Sequence, residues 1–303
     1  MELNKSILRP VWDSSLILKL RGYWFDFSEI LTSYRQEKIR FKKNTGYELD
    51  LKNPKSFSHH LVWKKIYDRN PALAVICDKY KVRDYIKKVL GEKEANGILI
   101  PLLYTTDNPE TIPFNDFSGE YIIKANHNSG PNFIVQNGER PDKNKIIFEL
   151  KKQLKLPYGI LKHEWAYGKI KKRMIVIEKL LRDEEGKIPK DYKFHMINGE
   201  CAFIQIDFDR FTNHSRTLYD KDWNYIETTL KFKQGPESPK PKNFDKMIGT
   251  AKKLSKGFDY IRIDLYDTGD KIYFGEMTNY PGSGMEKFTP QSFDFELGKY
   301  WSK

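Results

Sequence analysis

Arg262, Asp264 and Glu276 stand in the stretch YIRIDLYDTGDKIYFGEM, two apolar runs joined by Asp267-Thr268-Gly269-Asp270. Alternation with Ile261, Ile263 and Leu265 puts Arg262 and Asp264 on one face of a strand, and the turn residues between the runs make the whole a hairpin. With the turn centred near 268–269, Asp264 falls close to opposite Tyr273, and Glu276 lies nearer the strand ends. The two carboxylates can then converge at one edge. Carboxylates that share a face repel unless a cation joins them. Oxygen donors of this kind suit Mg²⁺, which binds through one or two carboxylates plus substrate phosphates. The bland alternative is a solvated face with an Arg262–Asp264 pair, since surface charge is common.

Four other segments carry residues fit for chemistry. In YIIKANHNSG, Lys124 leaves a strand into a polar turn holding Asn126, Ser129 and Gly130. Backbone N–H groups of such a loop can cradle phosphate, and the lysine adds charge; an ordinary hairpin with an exposed lysine would look the same. In RMIVIEKLL, an apolar strand runs into Glu178, Lys179 and Leu180, where a strand edge can offer main-chain groups to a purine. In DYKFHMING, Asp191 and Lys193 share a strand face, which suits phosphate contact by Lys193 or a weak surface ion pair. In QIDFDRFTNHSRTLYDKDW, Asp207, Asp209, Arg210, His214 and Arg216 crowd a short segment between strands. It reads as a loop, either one that sets specificity or a solvated one, and arginine there suits carboxylate or phosphate.

The elements that position these residues fall into two textures. The chain up to about residue 95 alternates apolar and basic residues at helical spacing, and ALAVICDKYKVRDYIKKVLG predicts one longer helix closed by Gly91. From GILIPLLYTT onward come short β runs, with Asn198-Gly199 a strong hairpin signal. Helices are expected at 144–154 and 244–257. Hairpins mixed with helices predict an α+β fold with antiparallel sheets, divided into a helical region 1–95, a central region 96–180 and a C-terminal region 181–303.

Composition narrows the partners. The 303 residues carry 53 basic and 41 acidic side chains, a net charge of +12, and 14% are aromatic. Such a surface suits an anionic partner: nucleic acid, a phospholipid face or an acidic glycan. No nucleic-acid-binding motif is present, which counts against the first. Cys77 and Cys201 form no CxxC pair, and the six histidines show no metal-ligand spacing. The start MELNKSILRPVW lacks a long apolar core and no run approaches a membrane span. A cytoplasmic protein is expected, with contact to the inner membrane face through its positive charge.

The order of these motifs resembles the ATP-grasp superfamily. The stretches GYELDLKNPKSF, WKKIYDRNP, DKYKVRDYI, IIKANHNSG, DYKF, DRFTNHSRTLYDKDWN, KLSKGFDYIRIDLYD and IYFGEMTNYPGSG narrow it to the TupA-like branch, associated with teichuronopeptide and other polysaccharide biosynthesis. The resemblance runs from about residue 46 to 298. It implies an ATP-grasp fold with ATP held between two antiparallel-sheet lobes. By it, Lys79 and Lys124 contact phosphates and the Asn126–Gly130 loop closes over them. Glu178, Lys179 and Leu180 meet adenine, Asp191 approaches the ribose and Lys193 adds a phosphate contact. Asp264 and Glu276 hold Mg²⁺, and Arg262 faces the transferred phosphoryl and the carbonyl oxygen. The turn after Pro281 aims Gly282, Ser283 and Gly284 at the reacting carboxylate. This chain departs from the family pattern twice. Thr278 stands where the family's asparagine is usual, with Asn279 one place later, and strand alternation favours Thr278 as the third ligand. His59-His60 replaces a usual Glu-Lys pair.

The activity implied is ADP-forming ligation of a carboxylate to an amine through an acyl phosphate, with an amino acid or amine and an acidic, uronic-acid-containing glycan as substrates. That chemistry needs no protein nucleophile, and the sequence shows neither G-x-S-x-G nor an evident Cys–His pairing. Two rivals are a sugar-nucleotide glycosyltransferase, which leaves Lys79, Lys124 and Lys193 without a clear task, and a non-catalytic module that binds acidic glycan.

Overall fold

The computed structural model describes residues 15–209 and 212–301. In chain order the helices are α1 (Ser15–Leu31), α2 (Arg35–Thr45), α3 (Phe57–Tyr67), α4 (Ala72–Ile76), α5 (Val82–Leu90), α6 (Glu92–Ile98), α7 (Lys143–Lys155), α8 (Trp165–Gly168), α9 (Phe244–Ser255) and α10 (Ser292–Gly298). The strands are β1 (Leu102–Thr106), β2 (Tyr121–Ala125), β3 (Phe133–Val135), β4 (Ile175–Lys179), β5 (Asp191–Ile197), β6 (Glu200–Phe208), β7 (Ser215–Tyr219), β8 (Tyr225–Ile226), β9 (Thr229–Leu230), β10 (Lys233–Gln234), β11 (Tyr260–Asp267), β12 (Ile272–Thr278) and β13 (Phe288–Thr289). The fold is α+β. The chain divides into two compact units: one of residues 1–37, 78–80 and 101–180, the other of 38–77, 81–100 and 181–303. The helical first third is shared between them.

The first unit is built on a four-stranded antiparallel sheet in the order β1-β4-β2-β3. Strand alternation sends Tyr121, Ile123, Ile175 and Ile177 to one face, where they form a core with Ile146 and Leu150 of α7. Asp142 caps α7, its side chain accepting the amide N–H of Lys145. The opposite face carries Lys124 and Glu178. Asp78–Tyr80 also belongs to this unit. That explains why the helix expected over 72–91 is two helices, α4 and α5. The Lys79 N–H donates to the carbonyl of Asn126 at 3.0 Å, and the Asn126 side-chain amide donates to Asp78 at 2.9 Å. These bonds hold three residues away from helical geometry.

The second unit is built on a seven-stranded sheet, ordered β10-β7-β6-β5-β11-β12 with β8 paired to β7. All its pairings are antiparallel except β10 with β7. The hairpins expected at Asn198-Gly199 and at 267–270 join β5 to β6 and β11 to β12. One face is apolar: Phe194, Ile206, Ile263 and Leu265 are fully buried, and α9 covers this face with Phe244, Met247, Ala251 and Leu254. The other face is polar and holds the residues of interest. At one end of the unit, Phe57 and Leu61 of α3, Phe288 of β13 and Leu297 of α10 pack on Ile197, Phe203 and Tyr260.

The C-terminal helix α10 meets the start of α3 with no room to spare. A Cβ on Gly298 would lie 2.1 Å from the carbonyl oxygen of Lys55, a backbone atom that cannot swing aside. Gly298→Ala is therefore expected to destabilise the protein by about 2–3 kcal/mol, measured by urea unfolding against the parent chain.

Candidate functional site

The polar face of the second unit's sheet is assembled by strand pairing. β5 contributes Asp191, Lys193 and His195; β6 contributes Gln205 and Asp207; β11 contributes Arg262 and Asp264; β12 contributes Glu276 and Thr278. Register brings Lys193 beside Asp264 and Asp264 beside Glu276. The last pairing differs from the sequence expectation, which set Asp264 opposite Tyr273. Two local features shift it. The turn is a four-residue loop closed by the Thr268 N–H to the Lys271 carbonyl. A bulge then leaves Gly275 unpaired between Phe274 and Glu276. A bulge re-aims the side chains beyond it, and here it sets Glu276 directly opposite Asp264. A side chain at Gly275 would press on the Tyr266 ring at 2.9 Å and the Asp264 carbonyl at 3.1 Å.

Arg262 ties this face together. Its Nε and Nη2 donate to the two oxygens of Asp264, each at 2.7 Å, a bidentate pairing. The same Nη2 lies 3.1 Å from Glu276 Oε1 and 3.0 Å from Thr278 Oγ1. The Thr278 hydroxyl is 3.1 Å from Glu276 Oε1. On the other flank Lys193 sits among carboxylates: it pairs with Asp191 and lies 3.7 Å from Asp264 and 3.9 Å from Asp207. Burial pushes the Asp264 carboxyl up to about 6, although Arg262 and Lys193 pull the other way. His195, fully buried, is held well below its ordinary value by desolvation and stays neutral. Its ring bonds Gln205 and Tyr260.

Asn279 faces elsewhere. It is wholly buried, and its amide donates to the Leu73 carbonyl at 3.1 Å and to Cys77 Sγ at 2.9 Å. Thr278, one residue earlier, keeps its hydroxyl with Glu276 and Arg262. The loop that follows is strained: Gly282, Ser283 and Gly284 all have positive φ, 54°, 58° and 73°. Ser283 pays a steric penalty there that glycine would not. Lys65, buried on α3, holds it through the Ser283 carbonyl at 2.9 Å and hydroxyl at 3.1 Å. Gly284 has α3 against it, since a Cβ there would stand 3.0 Å from Leu61 and Val62.

The segment 205–223 is not the loop that its composition suggests. Asp207 is on β6 and Arg216 on β7, directly paired. Arg216 is buried and donates through Nε to Asp207 at 2.6 Å and through Nη1 to Glu286 at 3.1 Å. His214 lies 3.1 Å from the same Asp207 oxygen and stacks on Phe232, ring centroids 3.6 Å apart. Asp209 has φ 48°. Arg210 lies outside the described residues.

In the first unit, Lys124 pairs with Glu178 at 2.7 Å across neighbouring strands. β4 is an interior strand, between β1 and β2, not an edge. The main-chain N–H groups of Lys179 and Leu180 are already given to the carbonyls of Pro101 and Glu120, each at 3.0 Å. The Lys79 ammonium donates to the Asn128 carbonyl. Asn126 spends its side chain inside the unit, donating to Asp78 and the Lys172 carbonyl and accepting from the Met174 N–H. It braces the loop 126–130 at its base. Asn128 accepts the Gly130 N–H at 3.0 Å, and Ser129 is exposed at the tip.

Two residues of the second unit's site escaped the sequence reading. Glu286 completes the charge set of Arg216 and also lies 3.5 Å from Lys231. Lys65 anchors the strained loop. Neither lies in a strand pattern, and each reaches its partners only through long-range packing.

The family profile makes this chain an ATP-grasp protein. The family profile described as TupA-like ATPgrasp matches residues 59–302, and the chain belongs to that family. Similar solved structures include D-alanine–D-alanine ligase from Bacillus anthracis, at 15% identity over 75% of this chain and 66% of that one, TM-score 0.40. The enzyme of the same name from Helicobacter pylori matches at 13% identity over 75% and 60%, TM-score 0.41. The ATP-grasp ligase PsnB, solved with a phosphomimetic variant of its minimal precursor, Mg and ADP, matches at 14% over 69% and 52%, TM-score 0.37. The chain thus spans between about half and two thirds of the length of these structures. No curated protein matches it.

Two outcomes follow from the buried charges. Removing the guanidinium in Arg262→Met leaves Asp264 buried beside Glu276, and should cost about 3–5 kcal/mol in urea unfolding. His127, at the base of the 126–130 loop, is held at about 4 by burial, with Arg173 adding to the effect. Its folded value lies below the ordinary 6.5, so its contribution is complete above that pH and is lost as pH falls toward 4. His127→Gln should flatten the fall in unfolding free energy over that window, by roughly 3 kcal/mol at most. An unchanged pH slope would show that the histidine is not held neutral.

Proposed function

We propose that this protein is an ATP-dependent, ADP-forming carboxylate–amine ligase that joins an amino acid or amine to an acidic, uronic-acid-containing glycan or its precursor. The observation that carries the reading is the set Asp264, Glu276 and Thr278 on one sheet face with Arg262 among them. Family membership supports it, and so does the net charge of +12 for an anionic acceptor.

The donor set fits Mg²⁺. Asp264, Glu276 and Thr278 supply only oxygen, and their negative charge is at present answered by a cation, the Arg262 guanidinium. When bound, the ion would screen phosphate charge as the phosphoryl group transfers. The protein's own groups do the rest by position and electrostatics. Lys79, Lys124 and Lys193 would contact phosphates, with the backbone N–H groups of the Asn126–Gly130 loop beside them. Lys124 and Lys193 each exchange a carboxylate partner for phosphate in this reading. Glu178 to Leu180 would meet adenine, by carbonyls and side chains because the N–H groups of Lys179 and Leu180 are spent. Asp191 would approach the ribose. Arg262 would offset charge on the transferred phosphoryl and on the carbonyl oxygen. Asp207, Arg210, His214 and Arg216, with Gly282, Ser283 and Gly284, would handle the acceptor.

The reaction balances without a protein nucleophile. A substrate carboxylate oxygen attacks the γ-phosphorus and ADP leaves. The amine nitrogen then attacks the acyl carbon, inorganic phosphate leaves, and the amine loses a proton.

The test is an ADP-release screen of amino acids against uronic-acid acceptors with Mg²⁺ and ATP. Turnover is expected for at least one pair, and hydroxylamine in place of the amine should give a hydroxamate. Asp264→Asn and Glu276→Gln should each lower ADP release by about a hundredfold or more, with far-ultraviolet circular dichroism unchanged. Absence of ATP binding in the presence of Mg²⁺ would sink the proposal. Nucleotide release from a sugar nucleotide would instead establish the glycosyltransferase.

A further inference from the structure

Helix α1 wears its amphipathic pattern inside out. Its sequence SLILKLRGYWFDFSEIL turns Leu20, Tyr23, Trp24, Phe27, Ile30 and Leu31 to the outside, each between 52% and 73% exposed. At 3.6 residues per turn these six positions span a stripe about 120° wide. Scattered surface apolar residues are ordinary, but a continuous stripe of this kind marks an interaction site. Trp24 and Phe27 pack edge to face on one another, centroids 6.2 Å apart.

The opposite side of the helix is firmly bound to the first unit, so the outward stripe is not a helix free to roll over. Gly22 lies against Ile160 so closely that a Cβ would reach 1.8 Å from its Cγ2. Phe25 stacks on His163, centroids 4.8 Å apart. Glu29 is 1% exposed and accepts the amide N–H groups of Gln36 and Glu37 at 3.0 and 2.8 Å, capping the start of α2.

Charge says what the stripe meets. Lys19 and Arg21 are exposed and flank the apolar arc on its two sides. Of the acidic residues of the segment, Glu29 and Glu37 are buried, and the half-exposed Asp26, beyond Lys19 on that flank of the arc, is engaged by the His163 ring at 2.9 Å. An aromatic stripe bordered by lysine and arginine is the pattern of a helix that lies in the headgroup layer of an anionic bilayer, where long basic side chains reach lipid phosphates. A second copy of this chain is the poorer occupant, since each copy carries +12. No helix among the described residues is long and apolar enough to cross a membrane, so contact would be along the surface.

We propose that the outer face of α1 docks the protein on an anionic lipid surface, with Trp24 and Phe27 inserted and Lys19 and Arg21 at the phosphates. The proposal is independent of the reaction proposed above.

The test uses the full chain and vesicles of phosphatidylcholine with or without phosphatidylglycerol. Co-flotation with the anionic vesicles and a blue shift of tryptophan emission are expected. The double variant Trp24→Glu/Phe27→Glu should weaken flotation by about tenfold or more, with circular dichroism unchanged because both side chains are exposed. Lys19→Glu/Arg21→Glu provides a second variant that leaves the stripe intact and should weaken binding to anionic vesicles. Failure of the parent chain to float overturns the proposal. So does flotation that neither variant alters. A dimer in analytical ultracentrifugation that dissociates in Trp24→Glu/Phe27→Glu, without vesicle binding, would assign the face to a second copy.

Discussion

A carboxylate buried at the centre of a sheet must be answered by positive charge, and in this protein Asp264 is that carboxylate. Only 2% of it is exposed. The bidentate grip of Arg262 from two residues away and the approach of Lys193 from the neighbouring strand offset part of its desolvation. Much else in the second unit can be understood as maintaining this arrangement. Seven strands keep the polar face extended, and α9 seals the apolar face so that the sheet cannot turn over. The bulge at Gly275 brings Glu276 level with Asp264. The carboxylates of Asp264 and Glu276 thereby share one face with Arg262 and Lys193 as their cationic partners.

The same economy recurs wherever a charged group is buried. Lys193 lies among Asp191, Asp207 and Asp264. Asp207 in turn holds Arg216 and His214, and Arg216 reaches Glu286. These contacts link the Arg262–Asp264 pair to the Arg216–Glu286 pair through one chain of alternating charges. A change at any member reaches the others, so single substitutions here should couple rather than add. In the first unit Lys124 and Glu178 form a smaller version of the pattern.

Much of this was legible in the sequence. The α+β class, the β5–β6 and β11–β12 hairpins, and the shared face of Arg262 and Asp264 follow from strand alternation and turn residues, which act over a few positions. The family was legible too, because its motifs are long and ordered. Other features were not. The break between α4 and α5 arises from bonds between Asp78 or Lys79 and Asn126, nearly fifty positions apart, and no local propensity records them. β4 read as an edge because nothing in RMIVIEKLL says which strands lie on either side. Asp207 and Arg216 read as loop residues because charge is rare on buried strands unless paired, and the pairing is invisible along the chain.

By itself the sequence determined which residues alternate, where the chain turns and what chemistry the side chains offer, since these depend on neighbours within a few positions. Tertiary structure alone decided the register that sets Asp264 against Glu276, the partners that Asn279 finds in Leu73 and Cys77, the hold of Lys65 on Ser283 and the outward turn of Leu20, Trp24 and Phe27. Each of these rests on contacts between distant parts of the chain. Their energy is realised only when the strands and helices pack.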